Sequence, residues 1–299
     1  MEEQRTILVA GGTGLIGRSL VDKLQERGHR VSVLTRSPKN ANEYRWSPSE
    51  KIIDEEALKG VDTIINLAGA GIADKRWTEK RKKELIDSRV KTTKFLYKLR
   101  DKIPELKQYV SASGINCYGY DQPDRKHPET DSFGTDFLSV VVKRWEESAE
   151  LFESDYKVAK IRTGVVLDPN GGAMEKIAKT IKSYVGAPLG SGKQWMPWLT
   201  IDDMVNIYIH AVEHRLEGAY NALANAHTNK DFTKALASHL KKPLWLPNVP
   251  AFVLKAMLGE MSTVVLDGLQ ASNLKLKDTG FEFQHTELKE AIASVYDSK

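Results

Sequence analysis

An apolar segment that runs into three evenly spaced glycines is the feature that most constrains the fold of this chain. Residues 6–10 are apolar enough for a buried strand, and apolar residues recur with helical spacing over 15–27. Gly11, Gly14 and Gly17 lie at the junction with the spacing G-x-x-G-x-x-G. In this strand–turn–helix context, glycines let the backbone approach a pyrophosphate, which free amides and the helix dipole hold. The segment predicts a dinucleotide-binding unit, and a tight turn without a ligand is the alternative.

The alternation of strands and helices continues beyond this loop. The pattern predicts strands at 31–34, 61–67, 109–111 and 158–161, and helices at 78–99, 137–152, 202–214 and 232–240. Such alternation favours an α/β fold of the Rossmann type, with a doubly wound parallel sheet. An apolar helix at 253–258 and an amphipathic segment after Thr286 predict a smaller C-terminal substrate lobe.

Three regions follow from this pattern. Residues 1–167 are expected to form the NAD(P)-binding Rossmann domain, to which later segments return. Residues 168–242, where glycines and a Trp–Pro cluster interrupt the periodicity, are expected to form a substrate-cleft region, and residues 243–299 a small C-terminal domain. The sequence contains no internal repeat and no low-complexity linker, so we expect these regions to pack together.

The residues after the second strand distinguish the two nicotinamide cofactors. An NAD site usually offers an Asp or Glu there to the ribose 2′-hydroxyl, whereas this chain has Thr35, Arg36 and Ser37. A guanidinium at this point can pair with a 2′-phosphate through charge-assisted hydrogen bonds. We therefore predict NADP in preference to NAD, and a solvated surface arginine is the alternative.

Composition excludes several classes of protein. The chain has 299 residues, a formal net charge of +4 and a single cysteine, Cys117. A single cysteine forms no intramolecular disulfide, which excludes a disulfide scaffold and favours a reducing compartment. The small charge imbalance does not indicate nucleic acid, and no apolar run approaches the roughly 18 residues that indicate a membrane span. We expect a cytoplasmic protein without a signal peptide, membrane anchor or nucleic-acid partner.

Several longer segments carry a family resemblance. They are residues 62–69 (DTIINLAG), 111–119 (SASGINCYG), 162–167 (RTGVVL), 190–203 (GSGKQWMPWLTIDD) and 259–266 (GEMSTVVL). Together with the glycine loop, they resemble the extended short-chain dehydrogenase/reductases, and within them the atypical epimerase-like group of cell-division-inhibitor-like and nucleotide-sugar-epimerase-related proteins. The resemblance covers essentially the whole chain. It implies a Rossmann lobe for NADP and a C-terminal lobe that closes over a substrate cleft.

The resemblance also implies which residues contact NADP. Those on the phosphate loop are Gly11, Thr13, Gly14, Leu15, Ile16 and Gly17. Thr35 and Arg36 are implied at the 2′-phosphate, Leu67 and Ala68 beside the adenosine and ribose, and Glu84, Arg89 and Val166 along the rest of the site. Without the resemblance, Glu84 and Arg89 also fit an exposed helix with solvated charges.

The usual catalytic acid of the superfamily is missing from this chain. In the related enzymes, a Tyr four residues before a Lys exchanges a proton with the substrate, beside a Ser or Thr hydroxyl. Lys143 is present, but Ser139 stands where the Tyr would be, and the hydroxyl position falls on Gly114. Ser113, Tyr118 and Lys143 are therefore the candidate proton carriers, and each also fits a packing or surface role.

Two further clusters admit a functional interpretation. Trp195 and Trp198 flank a proline and either wall a substrate pocket or pack between lobes. His210 and His214 are four residues apart on a predicted helix, so both rings could face one metal. No third ligand accompanies them in the sequence, so we predict no metal site.

Two functions fit these features. The first is an NADP-dependent oxidoreductase or epimerase that acts on a small polar substrate, such as a nucleotide sugar. The second is an NADP(H)-binding regulatory protein without conventional short-chain dehydrogenase catalysis, which Ser139 in the tyrosine position favours. The sequence leaves the substrate, the reaction direction and the oligomeric state open.

Overall fold

An eight-stranded sheet organises the structure, which is a computed structural model that describes residues 4–297. The predicted domain ends at residues 1 and 299 lie outside the described residues. The strands are β1 (Thr6–Ala10), β2 (Arg30–Thr35), β3 (Glu43–Ser47), β4 (Ile52–Ile53), β5 (Thr63–Asn66), β6 (Gln108–Gly114), β7 (Lys126–His127), β8 (Lys157–Thr163), β9 (Val165–Leu167), β10 (Trp195–Thr200), β11 (Gly218–Ala222), β12 (Asn225–Thr228) and β13 (Gln270–Ala271). The helices are α1 (Leu15–Glu26), α2 (Glu79–Lys98), α3 (Phe137–Ala149), α4 (Gly172–Lys182), α5 (Ile201–Glu213), α6 (Asn229–His239), α7 (Ala251–Leu258), α8 (Thr263–Leu266), α9 (Leu274–Lys277) and α10 (Leu288–Asp297).

The order of the strands places a crevice at one edge of the main sheet. The order is β11-β8-β6-β5-β1-β2-β3-β4, and all neighbours are parallel except β3 and β4. From β1 the chain adds β2 and β3 on one side, and then β5, β6, β8 and β11 on the other. The order therefore reverses between β1 and β5, and ligands of open α/β sheets bind at the carboxyl ends of the strands at this point.

Helices cover both faces of this sheet. Ile7 and Val9 of β1 belong to one core, together with buried residues of α1, α4, α5, α6 and α10. Leu8 and Ala10 point to the opposite face and join a second core, with buried residues of α2. Because β1 is buried on both faces, its sequence is a continuous apolar run without alternation.

The predicted Rossmann-type α/β fold is confirmed, and most predicted elements lie within a few residues of the observed ones. The elements that the sequence pattern did not indicate include β3, α4, β10 and β11. Helix α4 begins at Gly172, with Gly171 at its N-cap, and the pattern favoured a loop there because glycine is a poor helix former. Strand β10 contains Pro197, which is unusual within a strand, in the middle of a small sheet with β9 and β12.

The C-terminal region packs onto the main body of the protein. Helix α10 packs on α6, and its Ala291 and Ile292 are fully buried in the same core as β1. Strand β13 pairs in parallel with β7, with Gln270 opposite Lys126. A small C-terminal region is present, as predicted, and the boundaries at 167/168 and 242/243 stay predictions.

We expect Gly17→Ala to destabilise the fold, because a Cβ at this position would lie 2.3 Å from the carbonyl oxygen of Gly11 and 2.7 Å from the Cα of Gly12. Both neighbours are backbone atoms, so relief requires β1 and α1 to separate, at a cost of about 1–3 kcal/mol. Urea unfolding measures this change. Gly14→Ala is the matched control, since its Cβ would meet its nearest atom at 3.3 Å. Equal losses in the two variants would contradict the packing explanation.

Candidate cofactor site

The absence of a side chain serves a different purpose at each of the three glycines of the loop. Gly11 has a φ of +83°, and a Cβ there would lie 2.9 Å from the backbone nitrogen of Ala68. Gly17 packs directly on the backbone of Gly11. Gly14 has a φ of −78°, is exposed and is the N-cap residue directly before α1, so the fold itself does not require glycine there. The first and third glycines therefore serve the turn, and the second leaves open space at the end of the helix.

The amino terminus of α1 is suited to an anion. No side chain caps the helix, and its first turn carries no acidic residue. The amides of a first turn have no partner within the helix, and the helix dipole makes this end positive. Gly14 exposes these amides to the groove, which is the arrangement that holds phosphate groups at helix N-termini.

A groove of ≈ 1610 Å³ runs along the carboxyl ends of β1, β2 and β5. It brings together eight of the residues that the resemblance implied. They are Gly11, Thr13, Gly14, Thr35, Arg36, Leu67, Ala68 and Glu84. The predicted cofactor residues thus form a continuous surface in the folded chain, and their contacts with a cofactor stay predictions.

The other five implied residues do not line this groove. Gly17 is buried in the turn, and Ile16 is partly buried against the core below it. Leu15 packs against Gly171, which follows β9, and Val166 of β9 is partly buried against the same core. Arg89 lies on the side of α2 that faces α3. A direct cofactor contact stays a prediction for each of them.

Positive charge dominates the groove. Eight cationic and five anionic side chains line it: Arg18, Arg36, Lys39, Lys75, Lys80, Arg81, Lys83 and Lys91 against Asp22, Glu43, Asp74, Glu84 and Asp87. The sequence analysis did not identify Arg18 and Lys39 as residues of the site. Arg18 lies one turn into α1, so its helical spacing from the glycine loop was the available signal.

The turn after β2 is held in place by Glu43. This carboxylate accepts hydrogen bonds from the amide of Lys39 at 2.6 Å and the side-chain amide of Asn40 at 2.8 Å. These bonds hold the pKa of Glu43 below its usual range. Lys39 interacts with the Glu43 carboxylate through its charge, whereas Arg36 on this turn and Arg18 in α1 have no ion pair with a carboxylate among the described residues. Arg36 and Arg18 therefore present unpaired charges to the groove.

The segment between β5 and α2 closes the other side of the groove. Arg81 donates a hydrogen bond to the carbonyl of Gly71 at 2.6 Å and pairs with Glu84 at 2.8 Å. The pairing holds the pKa of Glu84 below its usual range. Ser88 accepts a hydrogen bond from the amide of Ala70. Helix α2 thus fixes the backbone of this segment through polar contacts.

Two of the three candidate proton carriers belong to one buried ion-pair network. Arg162 pairs with both carboxylate oxygens of Glu146 at 2.9 Å and donates a hydrogen bond to the Tyr118 hydroxyl at 2.9 Å. Ser113 donates to Glu146 at 2.5 Å, and Tyr118 donates to Asn221 at 2.7 Å. Burial raises the pKa of Tyr118. Both hydroxyls thus have protein partners, and their catalytic role stays a prediction.

Lys143 and Ser139 occupy different surroundings on α3. Lys143 is exposed and stands outside the network of Arg162 and Glu146. Ser139 is fully buried, and its Oγ lies 2.9 Å from the carbonyl of Asn116 and 2.6 Å from a carboxylate oxygen of Asp136. The serine in the tyrosine position therefore ties the start of α3 to the turn after β6.

The two tryptophans of the predicted substrate region are buried to different extents. Trp198 is fully buried in the core and donates a hydrogen bond to His227 at 2.9 Å, so it has no surface left for a substrate. Trp195 is partly exposed and donates to Asp124 at 2.8 Å. Of the two tryptophans, only Trp195 has exposed surface with which to make the predicted substrate contact.

Metal and membrane features were also sought in the structure. Within residues 4–297, no group of three or more His, Cys, Asp and Glu side chains is arranged to hold a metal ion. His210 and His214 pack ring against ring at 4.0 Å, and His210 hydrogen-bonds to Thr279. No helix in the same range has the length and apolar character needed to cross a membrane.

The parallel sheet, the glycine loop at its switch point and the cationic groove define a dinucleotide-binding protein of the Rossmann class. A model of the NAD dependent epimerase/dehydratase family matches residues 7–222. A second model, described as a domain of unknown function (DUF1731), matches residues 249–295. The chain therefore belongs to the NAD-dependent epimerase/dehydratase family, which confirms the resemblance.

Individual relatives agree with this assignment over nearly the whole chain. The chloroplastic homologue of epimerase family protein SDR39U1 from Arabidopsis thaliana is 36% identical, over 98% of this chain and 87% of that protein. The crystal structure of human epimerase family protein SDR39U1 (isoform 2) with NADPH has a TM-score of 0.88 at 30% identity and covers 98% of this chain and 100% of that one. A nucleoside-diphosphate sugar epimerase from Corynebacterium glutamicum has a TM-score of 0.79 at 29% identity, over 97% of this chain and 58% of that one.

We expect Ser139→Tyr to destabilise the protein and to restore no activity. Gly134 and Gly119 pack so closely on Ser139 that a Cβ at Gly134 would lie 2.8 Å from its Oγ. A phenol ring overpacks this site, at a cost of about 1–3 kcal/mol. Thermal unfolding measures the change. Ser139→Ala is the control, which loses only hydrogen bonds worth about 1 kcal/mol. A tyrosine variant as stable as the wild type would show that the site has room for a ring.

Proposed function

We propose that this chain binds NADPH in the groove and acts as an NADP-dependent oxidoreductase or epimerase-like enzyme on a small polar substrate. Gly14 carries the proposal. Its backbone conformation suits any residue and it is exposed, yet a side chain there would stand in front of the free amides of α1. A diphosphate at this helix end explains the missing side chain.

The charges of the groove support NADPH over NADH. An NAD site carries a carboxylate at the end of the second strand, where it binds the ribose 2′-hydroxyl. Here Thr35 and Arg36 stand at that point, with Arg18 and Lys39 beside them. A 2′-phosphate adds negative charge, which these cations can compensate. The NADPH in the human SDR39U1 structure is in keeping with this assignment.

The remaining predicted contacts are part of the proposal. Leu67 and Ala68 lie at the end of β5, where the adenosine and its ribose would lie. Glu84 faces the groove from α2, and Trp195 is the tryptophan proposed to meet a substrate. When bound, the nicotinamide ring supplies or accepts a hydride, and the chain binds and orients it.

A nucleotide sugar is the substrate class that the family relationship favours. The Corynebacterium glutamicum relative is described as a nucleoside-diphosphate sugar epimerase, and it covers almost all of this chain. A cytoplasmic location is proposed on the lone, buried thiol of Cys117, which suits a reducing compartment.

A second candidate function is an NADP(H)-responsive regulatory protein. The hydroxyls of Ser113 and Tyr118 are held by Glu146, Arg162 and Asn221, and Ser139 replaces the usual tyrosine. NADPH oxidation in the presence of sugar nucleotides and small carbonyl compounds separates the two functions. Turnover that depends on a substrate favours the enzyme, and tight NADPH binding without turnover favours the regulator.

We expect Gly14→Val to remove NADPH binding while the protein stays folded. The valine side chain would occupy the space in front of the first turn of α1, and its cost to the helix end is about 1 kcal/mol. Isothermal titration calorimetry measures the affinity, and circular dichroism checks the fold. A folded valine variant that binds NADPH as the wild type does would remove the glycine loop from the site.

Arg36→Asp tests the preference between cofactors. The wild type is expected to bind NADPH more tightly than NADH. The variant should lose about tenfold or more in NADPH affinity, since a charge-assisted contact is worth about 1.5–3 kcal/mol, and its preference should shrink or reverse. Calorimetry with both cofactors gives the ratio. Arg30→Asp, at the opposite end of β2, is the charge-matched control. Equal affinities of the wild type for the two cofactors would contradict the NADP assignment.

A further inference from the structure

Most of the large apolar side chains that the protein exposes come from two segments, residues 179–193 and 241–258. Eight large apolar residues are exposed within the described part of the chain, and five of them belong to these segments: Tyr184, Val185, Trp245, Phe252 and Met257. Trp245, Phe252 and Met257 are 66%, 74% and 64% exposed. Single apolar residues scattered over a surface are normal, whereas a concentration of this kind marks an interaction site.

The two segments lie side by side in the fold. Leu189 forms a parallel β-bridge with Val249, and the amide of Gly190 donates a hydrogen bond to the carbonyl of Val249 at 2.9 Å. Further along, Nζ of Lys242 donates a hydrogen bond to the Tyr184 hydroxyl at 2.7 Å. The exposed side chains of both segments therefore belong to one region of the surface, which we call the basic face.

Helix α7 and the residues before it turn apolar side chains to the outside. Seven of the eight residues of α7 are apolar, yet only Leu254 is buried. A surface helix normally buries an apolar stripe and presents polar residues to solvent. Before α7, exposure alternates along the chain, because Leu244 and Leu246 are half-buried and Trp245 between them is exposed. The core thus covers one side of these elements and leaves a second apolar side open.

The same two segments carry only positive charge. They contain no Asp or Glu, although the whole chain has 40 acidic residues against 44 basic ones. Asp267 lies outside both segments, and its charge interacts with that of Lys255. Six lysines accompany the exposed apolar residues: Lys179, Lys182, Lys193, Lys241, Lys242 and Lys255. The basic face therefore combines aromatic and aliphatic side chains with a concentration of cations.

This combination is complementary to a bilayer surface that is rich in anionic lipid. Trp, Phe and other apolar side chains insert at the boundary between headgroups and acyl chains. Lysine stems lie along apolar surface while their ammonium groups stay in water beside the anionic headgroups. A second copy of this chain would instead bring the same lysines against one another, which like-charge repulsion disfavours.

We propose that the basic face binds the protein to an anionic lipid surface. Trp245, Phe252 and Met257 insert at the headgroup boundary, and the surrounding lysines bind the headgroups. The expectation of no membrane anchor rested on the absence of a long apolar run, whereas a folded surface draws its apolar side chains from several short segments. No residue of 179–193 or 241–258 lines the cofactor groove, so binding to lipid leaves the groove open.

Vesicle cosedimentation tests the proposal on the intact protein. The wild type should bind phosphatidylcholine vesicles that contain about 30% phosphatidylglycerol, and it should not bind pure phosphatidylcholine. Raising NaCl from about 0.1 M to about 0.5 M should weaken binding, because salt screens the attraction between lysines and headgroups. Equal binding to the two kinds of vesicle, or binding to neither, would overturn the proposal.

An apolar substitution assigns the binding to this face. Phe252→Ser removes an exposed ring and should weaken binding to anionic vesicles by about tenfold or more. Leu274→Ser is the matched control, because Leu274 is 63% exposed at the start of α9, outside both segments. Both side chains are exposed, so neither variant should lower the melting temperature. Equal vesicle binding by the two variants would remove the basic face from the interaction.

A charge substitution tests the lysines in the same assay. The double variant Lys241→Gln/Lys255→Gln should lose about tenfold or more in affinity for anionic vesicles, since each lysine near a charged bilayer contributes to binding. Lys94→Gln/Lys98→Gln removes two exposed lysines of α2 and serves as the charge-matched control. If both double variants lose the same affinity, the interaction depends on net charge alone, and the proposed face is wrong.

Trp245 reports directly on insertion. Anionic vesicles should shift the tryptophan emission of the wild type to shorter wavelength, because an exposed indole moves out of water. Trp46, Trp145 and Trp198 are buried and should not respond. Trp245→Phe keeps an aromatic ring, so it should still bind vesicles but lose the shift. A full shift in this variant would overturn insertion at the basic face.

Sedimentation equilibrium without lipid tests a second copy as the occupant of the face. The wild type should show no self-association that depends on Phe252. A dimer that forms with rising protein concentration and disappears in Phe252→Ser, together with no binding to anionic vesicles, would make the face a contact between copies and overturn the lipid proposal.

Discussion

The contact between the backbones of Gly17 and Gly11 is the constraint on which the carboxyl edge of the sheet depends. It allows α1 to start directly after the turn that follows β1. The free amides at the start of the helix therefore lie at the switch point between β1 and β5. A side chain in that contact would separate the helix from the strand. The same short turn brings Ala68 to within contact of Gly11, so the end of β5 and the loop share one wall. The groove is a consequence of this local crowding.

Much of the fold followed from local pattern, because buried parallel strands are apolar runs and their connecting helices are amphipathic. The elements that sequence pattern did not indicate are those whose residues suggest something else. Strand β3, next to the short edge strand β4, carries Glu43 and Arg45, and a glycine pair stands at the start of α4. Their structure comes from tertiary partners, β2 for β3 and the core for α4, and local periodicity carries no signal of such partners.

The residues of the candidate site that could be predicted from sequence are those whose type serves a single geometric purpose at a position fixed by local spacing. The glycine loop belongs to this group because its spacing after a strand identifies it. Arg36 belongs to it because it directly follows the second strand. The buried network of Glu146 and Arg162 could not be predicted in this way, because it joins α3 to β8. Side chains that pair across two elements follow no regular spacing in the sequence. The network also encloses the hydroxyls of Ser113 and Tyr118, whose partners the sequence did not indicate.

The packing of α10 bears on the order in which this protein can complete its fold. The helix spans Leu288–Asp297, and its buried residues finish the same core that β1 begins. A ribosome makes the glycine loop well before it makes this helix. Until α10 emerges, the apolar surface of α6 beneath it has no cover, so the nascent chain holds an incomplete core while the segments between them are made. Two segments that are made far apart in time thus share one core, and the emergence of α10 is the step that closes it.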